Sequence, residues 1–384
     1  MIVYTLSSRA AVIEAAKKAG VVVVPVGPQS ILEKLPLTER YIEVSDQLNP
    51  LQVTRALIAD GVKHGDPECI CIGLGDDTSQ VAALVNVGLS LGNNRFASFT
   101  SLELMRDKLA LRARLGVESS LNGRFERVEN KHQIRHLLKE FPKGIVLKPL
   151  DGSGSRGVVI IKDESEIPDM NPNIVLLLEE YFCGPEFSVE TISWNGKHHP
   201  LVVTAKKLGG STGVVEVGQR QPAYISGVET AKLFSAAEIV LNAADYQYGL
   251  SHIEFILQDG EPRLVEAHGR VGGDRISDLM HWTIGMSAFE ILFRSYNNNV
   301  VPSTNPSGLE AAITFFDLSI WQDTDSAWKK QIAKIKDVKE VEILRNIGDR
   351  LDVRSSADRH AHVVLAGTSL NYPLRQLKTY GSLL

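Results

Sequence analysis

Residues 145–161 read IVLKPLDGSGSRGVVII, and the way this stretch folds decides the architecture. Ile145 to Pro149 and Val158 to Ile161 are short apolar runs of strand type, so DGSGSRG between them is a hairpin tip. A Walker-type phosphate loop ends in Gly-Lys-Ser/Thr and opens a helix; neither feature is present. A glycine-rich tip can instead fold over a triphosphate as a lid. The unhindered backbone N–H groups of its glycines and the hydroxyls of Ser153 and Ser155 then donate to phosphate oxygens. Lys148 adds a point charge from the strand below. In isolation an ordinary flexible hairpin turn reads the same way.

A second hairpin lies about a hundred residues on. His252 to Leu257 and Arg263 to His268 both alternate polar and apolar residues around the turn Gln258-Asp259-Gly260-Glu261. A register centred near Gly260 puts Glu254 opposite Glu266 and His252 opposite His268, all on one face with facing Cβ atoms ~5 Å apart. Opposed carboxylates repel unless a cation lies between them. Oxygen ligands beside phosphates suit Mg2+, with Mn2+ as an alternative, and the two histidines keep Zn2+ open. Two glutamates on a solvated sheet face are the plain alternative. Gly269-Arg270-Val271-Gly272-Gly273-Asp274 follows, placing the Arg270 guanidinium where a phosphoryl group or a carboxylate could approach.

Around these hairpins the chain changes character. The first ~95 residues alternate short apolar runs with helical patterns, as in a parallel sheet with crossover helices. Strands are expected at Ile2 to Leu6, Val21 to Val26 and Ile70 to Gly73, and helices from about Arg9 to Ala19 and through Val81 to Val87. Ser7-Ser8-Arg9 follows the first strand where a dinucleotide fingerprint would stand, so this part reads as a scaffold. A charged amphipathic helix is expected over Ser101 to Leu115. Asn195-Gly196 marks another hairpin, a helix is expected from about Thr230 to Ala244, and VPSTNPSG after Val300 reads as a linker before a strand at His362 to Ala366.

The 384 residues imply two or three packed units able to enclose a cleft. A net charge of -5 gives no general attraction for nucleic acid or anionic lipid. Cys69, Cys71 and Cys183 form no CxxC pair and read as structural thiols. There is no basic-then-apolar leader and no apolar run near the ~18 residues of a membrane span, so a cytoplasmic location is the default expectation.

Together, RDKLALRARLG with Lys108, VLKPLDGSGSRGV with Lys148, EEYFCGPEFSVE and HIEFILQDGEPRLVEAHGRVGGD occur in the order and spacing of ATP-grasp enzymes. The sequence resembles that superfamily over roughly Ile2 to Leu292. Within it, the chain looks most like carboxylate-amine ligases of the L-amino-acid alpha-ligase type, to which TAKKLGGSTGVVEVGQRQPA and DRHAHVVLAGTS are also similar.

The resemblance implies an α/β chain with an α+β nucleotide-binding part. Residues 1–100 would form a Rossmann-like domain, 101–180 a small lobe with the lid, 181–300 a large lobe with the metal site, and 301–384 a C-terminal subdomain packed on the large lobe. Lys108 and Lys148 match the lysines that hold ATP phosphates, and Ser153, Gly154, Ser155, Arg156 and Gly157 match the lid. Glu179, Glu180 and Phe182 would line the adenine, and Glu186 would take the ribose hydroxyls. Glu254 and Glu266 match the metal acids, and Arg270 the arginine near the reacting phosphoryl group. His268 stands where the family usually has asparagine, which leaves its own metal role open.

The expected reaction is ATP-dependent amide formation from a small carboxylate and an amine through an acyl phosphate, with ADP released. Asp274, or His252 if it points into the cleft, is the candidate base. Lys206 and Lys207 are candidates for reaching the nucleotide or the first substrate, with solvated lysines as the alternative. Loading of a carrier protein and a non-catalytic nucleotide-binding regulator are the competing readings. A homodimer is the expected assembly.

Overall fold

The computed structural model describes all residues except 37–39, 151–153, 155, 170–173, 212, 323, 350–352 and 384. Ser153 and Ser155 of the expected lid therefore lie outside the described residues.

The N-terminal part is β1 (Ile2–Leu6), α1 (Ala10–Ala19), β2 (Val22–Gly27), α2 (Gln29–Leu32), β3 (Ile42–Glu43), α3 (Pro50–Ala59), β4 (Cys69–Gly73) and α4 (Asp76–Leu89). Its strands run parallel in the order β3-β2-β1-β4. The topology follows from apolar runs such as IVYTL of β1 and CICIG of β4, buried on both faces and separated by helices. Strand order reverses beside β1, so the C-terminal ends of β1 and β4 flank a crevice. Asp76 opens α4 at that edge.

A smaller antiparallel sheet follows. Helices α5 (Phe99–Arg106) and α6 (Lys108–Leu115) lead into β5 (Phe125–Val128), α7 (Lys131–Leu138), β6 (Ile145–Pro149), β7 (Val159–Ile161) and β8 (Leu176–Glu180), ordered β5-β8-β6-β7. The single helix expected over Ser101 to Leu115 is instead two. Asp107 breaks it with φ -79 and ψ 104, and its carboxylate accepts a hydrogen bond from the Ala110 N–H at 2.9 Å. This N-cap fixes where α6 begins and so where Lys108 points. Asp107→Ala is expected to cost about 1 kcal/mol of stability, read by chemical denaturation.

The remaining elements build one eight-stranded antiparallel sheet. They are β9 (Glu186–Trp194), β10 (Lys197–Gly209), β11 (Val215–Gln221), α8 (Gly227–Ala243), β12 (Gly249–Gln258), β13 (Glu261–His268), α9 (Ile276–Thr283), α10 (Ala288–Asn298), β14 (Glu310–Phe316), α11 (Asp325–Ile332), β15 (Val338–Ile343), β16 (Ala361–Gly367) and α12 (Asn371–Leu377). The sheet order is β13-β12-β9-β10-β11-β14-β16-β15. The three strands after residue 301 thus extend the sheet that carries the acidic hairpin, with their own core around Trp328.

Both expected turns form with left-handed backbone, Asn195-Gly196 at φ 53 and 70 and Asp259-Gly260 at φ 53 and 77. The second turn pairs Gln258 with Glu261, a register that by itself would set Val265 opposite Glu254. A β-bulge at Val265 shifts it, and Glu254 pairs with Glu266 and His252 with His268. Cys69 and Cys71 are buried in β4, as expected, whereas Cys183 is exposed in the turn before β9.

Candidate active site

Between the four-stranded antiparallel sheet and the acidic hairpin lies an open cleft of about 200 Å3. Lys108, Lys148, Gly154, Arg156, Glu179, Glu180, Phe182, Glu186, Glu254 and Glu266 line it. Gly157 sits at its edge, where a Cβ would lie 3.1 Å from Pro149. The apolar side chains of Val146, Ile160, Ile256 and Leu264 form its walls. A mixed surface of this kind, apolar with convergent charges, suits a planar base joined to phosphates.

The lysines are held from the hairpin side. Lys108 Nζ lies 3.0 Å from Glu266 Oε2. Lys148 Nζ donates to the Val265 carbonyl at 3.3 Å and ion-pairs with Glu179. Arg112, fully buried, bonds Glu179 at 2.6 Å and donates to the Leu264 and Val265 carbonyls at 2.7 and 2.8 Å. The bulge therefore turns a carbonyl toward both cations. Burial lowers the Lys148 pKa, and Glu179 offsets only part of that effect. Glu179, expected at the adenine partly through backbone groups, lines the cleft, and its carboxylate is bonded to Lys148 and Arg112.

The Lys206 ammonium is enclosed by Glu186 at 3.6 Å, Glu216 at 2.5 Å and Glu254, three acids that line the cleft. Burial would lower its pKa, yet the three acids raise it well above the ordinary lysine value. Burial pushes Glu186 up to about 8, with Lys206 opposing and Glu254 and Glu216 adding to the rise. Oxygen atoms of Glu186, Glu216 and Glu254 lie within 4.8 Å of one another, a donor set suited to a hard divalent cation.

Two carboxylate-histidine-carboxylate relays stand side by side. In the first, His252 Nδ1 lies 2.7 Å from Glu190 and Nε2 2.8 Å from Glu254. In the second, His268 Nδ1 lies 3.0 Å from Asp76 and Nε2 3.0 Å from Glu266. The two rings stack with centroids 6.3 Å apart. Burial would lower His252, but Glu190 and Glu254 carry its pKa up to about 10. Gly272 passes close beside this ring; a Cβ there would lie 2.8 Å from Nδ1. Both nitrogens of His268 are bonded to carboxylates, so in this arrangement it orients Glu266 and has no lone pair free for a metal.

Asp76 is the residue that sequence reasoning missed. It reaches across 192 positions to His268 and also accepts from Arg270 at 2.8 Å. Burial would raise its pKa, but His268 and Arg270 together hold it well below the usual carboxylate range. The one available signal was its place just past the end of β4, where open parallel sheets present ligand-binding residues. Glu190 following Val189, and Glu216 between Val215 and Val217, carried a comparable signal. Asp274, the candidate base, is bound by Arg359 through both oxygens, at 2.7 and 2.5 Å. Burial would raise Asp274, and Arg359 lowers it below the usual range. A carboxylate held this way is a weak base, and His252 is likewise engaged on both nitrogens.

The β6–β7 hairpin faces the acid-bearing hairpin across one cleft, and an ATP-grasp domain is matched over residues 107–274. The chain carries an ATP-grasp domain over those residues. It is 23% identical over 343 residues to an L-arginine-specific L-amino acid ligase of Bacillus subtilis, covering 83% of this chain and 79% of the relative. Its fold superposes on an L-amino acid ligase from Bacillus licheniformis with TM-score 0.78 at 18% identity, covering 99% of this chain and 96% of the other. An ADP complex of N5-carboxyaminoimidazole synthetase from Staphylococcus aureus superposes with TM-score 0.73 at 13% identity, covering 99% and 96%. Among the described residues, no helix is long and apolar enough to cross a membrane.

Proposed function

We propose that the chain is an ATP-dependent carboxylate-amine ligase that joins an amino acid or another small carboxylic acid to an amine, releasing ADP and phosphate. The observation that carries this reading is the convergence of Lys108, Lys148, Glu254 and Glu266 on one cleft, with Arg270 tied alongside through Asp76. Lys108 and Lys148 bind the phosphates of ATP and orient them. Phe182 and the backbone around Glu180 line the base, and Glu186 lies where the ribose hydroxyls bind. Glu254 and Glu266, fixed by the two histidine relays, are the residues that would hold Mg2+, which would supply neutralising charge at the transferred phosphoryl group.

The substrate carboxylate attacks the γ-phosphorus, the bond to the bridging oxygen breaks, and ADP leaves with its electron pair. Arg270 neutralises the group in transfer. The amine then attacks the acyl carbon, phosphate departs and the amide remains. The β6–β7 hairpin covers the site and keeps water from the acyl phosphate. With no free base at Asp274, the amine enters already deprotonated or gives its proton to the departing phosphate.

The test is incubation of the full chain with Mg-ATP and hydroxylamine against single amino acids and small dicarboxylates. Hydroxamate with equimolar ADP is expected for at least one acid. AMP with pyrophosphate contradicts the mechanism. Asp76→Asn removes the charge on which Arg270 and His268 both lean. It is expected to lower kcat by roughly 10–100-fold, measured by ADP release, with little change in melting temperature.

A further inference from the structure

A second cluster of metal-ligating side chains lies on the far edge of the large sheet and shares no residue with the Glu254–Glu266 pair. Glu340 and Glu342 are two apart in the edge strand β15 and so point to one face. His362 on β16 pairs with Glu342 across the ladder. Its Nε2 lies 3.3 Å from Glu342 Oε2 and 3.9 Å from Glu340 Oε1, and one ligand atom from each of the three falls within 4.8 Å of the others. Donor atoms about 2.1 Å from a shared ion stand roughly 3–4 Å apart, so this spacing fits a single cation.

The histidine is prepared for such a role. Its side chain is 5% exposed and packs edge-on against Phe315, which fixes the ring. Arg275 NH1 lies 3.4 Å from Nε2, and because a guanidinium can only donate, Nε2 presents its lone pair to Arg275, which stands between it and the two carboxylates. The glutamates are 41% and 51% exposed, which leaves the outer side open to water ligands.

Arg275 now occupies the centre of the cluster. It ion-pairs with Glu340, lies 4.0 Å from Glu342 and also bonds Asp278 at 2.9 Å. Lys206 sits in the same way among Glu186, Glu216 and Glu254. Arg275 holds that place at φ 63, directly after Asp274 at φ 50, a left-handed pair that non-glycine residues rarely adopt. Asp278 gives Arg275 an anionic partner outside the three donor residues.

We propose that Glu340, Glu342 and His362 form a binding site for a divalent transition metal, with Zn2+ as its type, which enters by displacing Arg275. One imidazole and two carboxylates suit Zn2+ and disfavour Mg2+, which prefers oxygen ligands alone. Arg275 lies in the turn that also holds Asp274 against Arg359, so an ion here reaches the segment next to Arg270.

The test is equilibrium dialysis of the full chain against Zn2+ in excess Mg2+. Wild type is expected to retain one Zn2+. Glu342→Gln, at an exposed position that the fold tolerates, should weaken binding by about tenfold or more, and His362→Ala should abolish it. Arg275→Ala should bind more tightly, and Glu266→Gln should bind as wild type does. Absence of Zn2+ uptake, or uptake unchanged in Glu342→Gln, overturns the proposal. Loss of uptake in Glu266→Gln with retention in Glu342→Gln would assign the ion to the other pair and overturn it equally.

Discussion

Glu266→Gln is expected to cut ADP release coupled to amide formation by about 10³-fold or more, equivalent to roughly 4 kcal/mol of transition-state stabilisation. The glutamate faces Glu254 across the hairpin and receives Lys108 and His268 at 3.0 Å each. Glutamine keeps its size and the strand pairing, so the hairpin should still form. What changes is charge. One of the two facing carboxylates is neutralised, Lys108 loses that anion, and the relay from Asp76 through His268 ends on an amide. Weaker Mn2+ binding by electron paramagnetic resonance should accompany the loss of turnover, with little change in melting temperature. Undiminished ADP release would remove this hairpin from the reaction.

The largest effect on stability is expected from Glu179→Ala. Arg112 is 0% exposed and Lys148 7% exposed, and both use this carboxylate. Its removal leaves two buried cations without their shared anion, which is expected to cost about 3–5 kcal/mol. Glu179→Gln should cost less because the amide oxygen still accepts a hydrogen bond. Urea denaturation of the three proteins side by side measures the difference. An alanine variant as stable as wild type would mean that water or another acid replaces Glu179.

What the sequence made legible was local. The alternation in HIEFIL and RLVEAH, with the Asp-Gly turn between, placed Glu254, Glu266, His252 and His268 on one face, and strands on both sides of DGSGSRG identified a hairpin tip. The bulge at Val265 was not legible, because its carbonyl is turned by Arg112 and Lys148, which come from other elements. The break at Asp107 was available in principle, since aspartate before a helix-forming run is a capping signal, but charged periodicity on either side masked it. Asp76, Arg359 and the enclosure of Lys206 depend on contacts between distant segments. Periodicity reports which face a residue takes and says nothing of what the neighbouring unit brings to it.

Partner geometry also revises which groups act and which position. Glu179, Lys206 and Asp274 all belong to the right region, yet each is bound to an opposite charge from another element. His268, where asparagine is usual, is tied between Asp76 and Glu266. The N-terminal unit thereby holds the arginine and one acid of the hairpin through a single aspartate, which explains why Asp76 should influence turnover more than folding.

The central claim is that a substrate carboxylate attacks the γ-phosphate of ATP. It is tested most directly by supplying the accepted acid with 18O in its carboxylate and analysing the released phosphate by mass spectrometry. One 18O in each phosphate formed with the amide is the predicted result. Phosphate free of label, or label appearing in AMP, would contradict it.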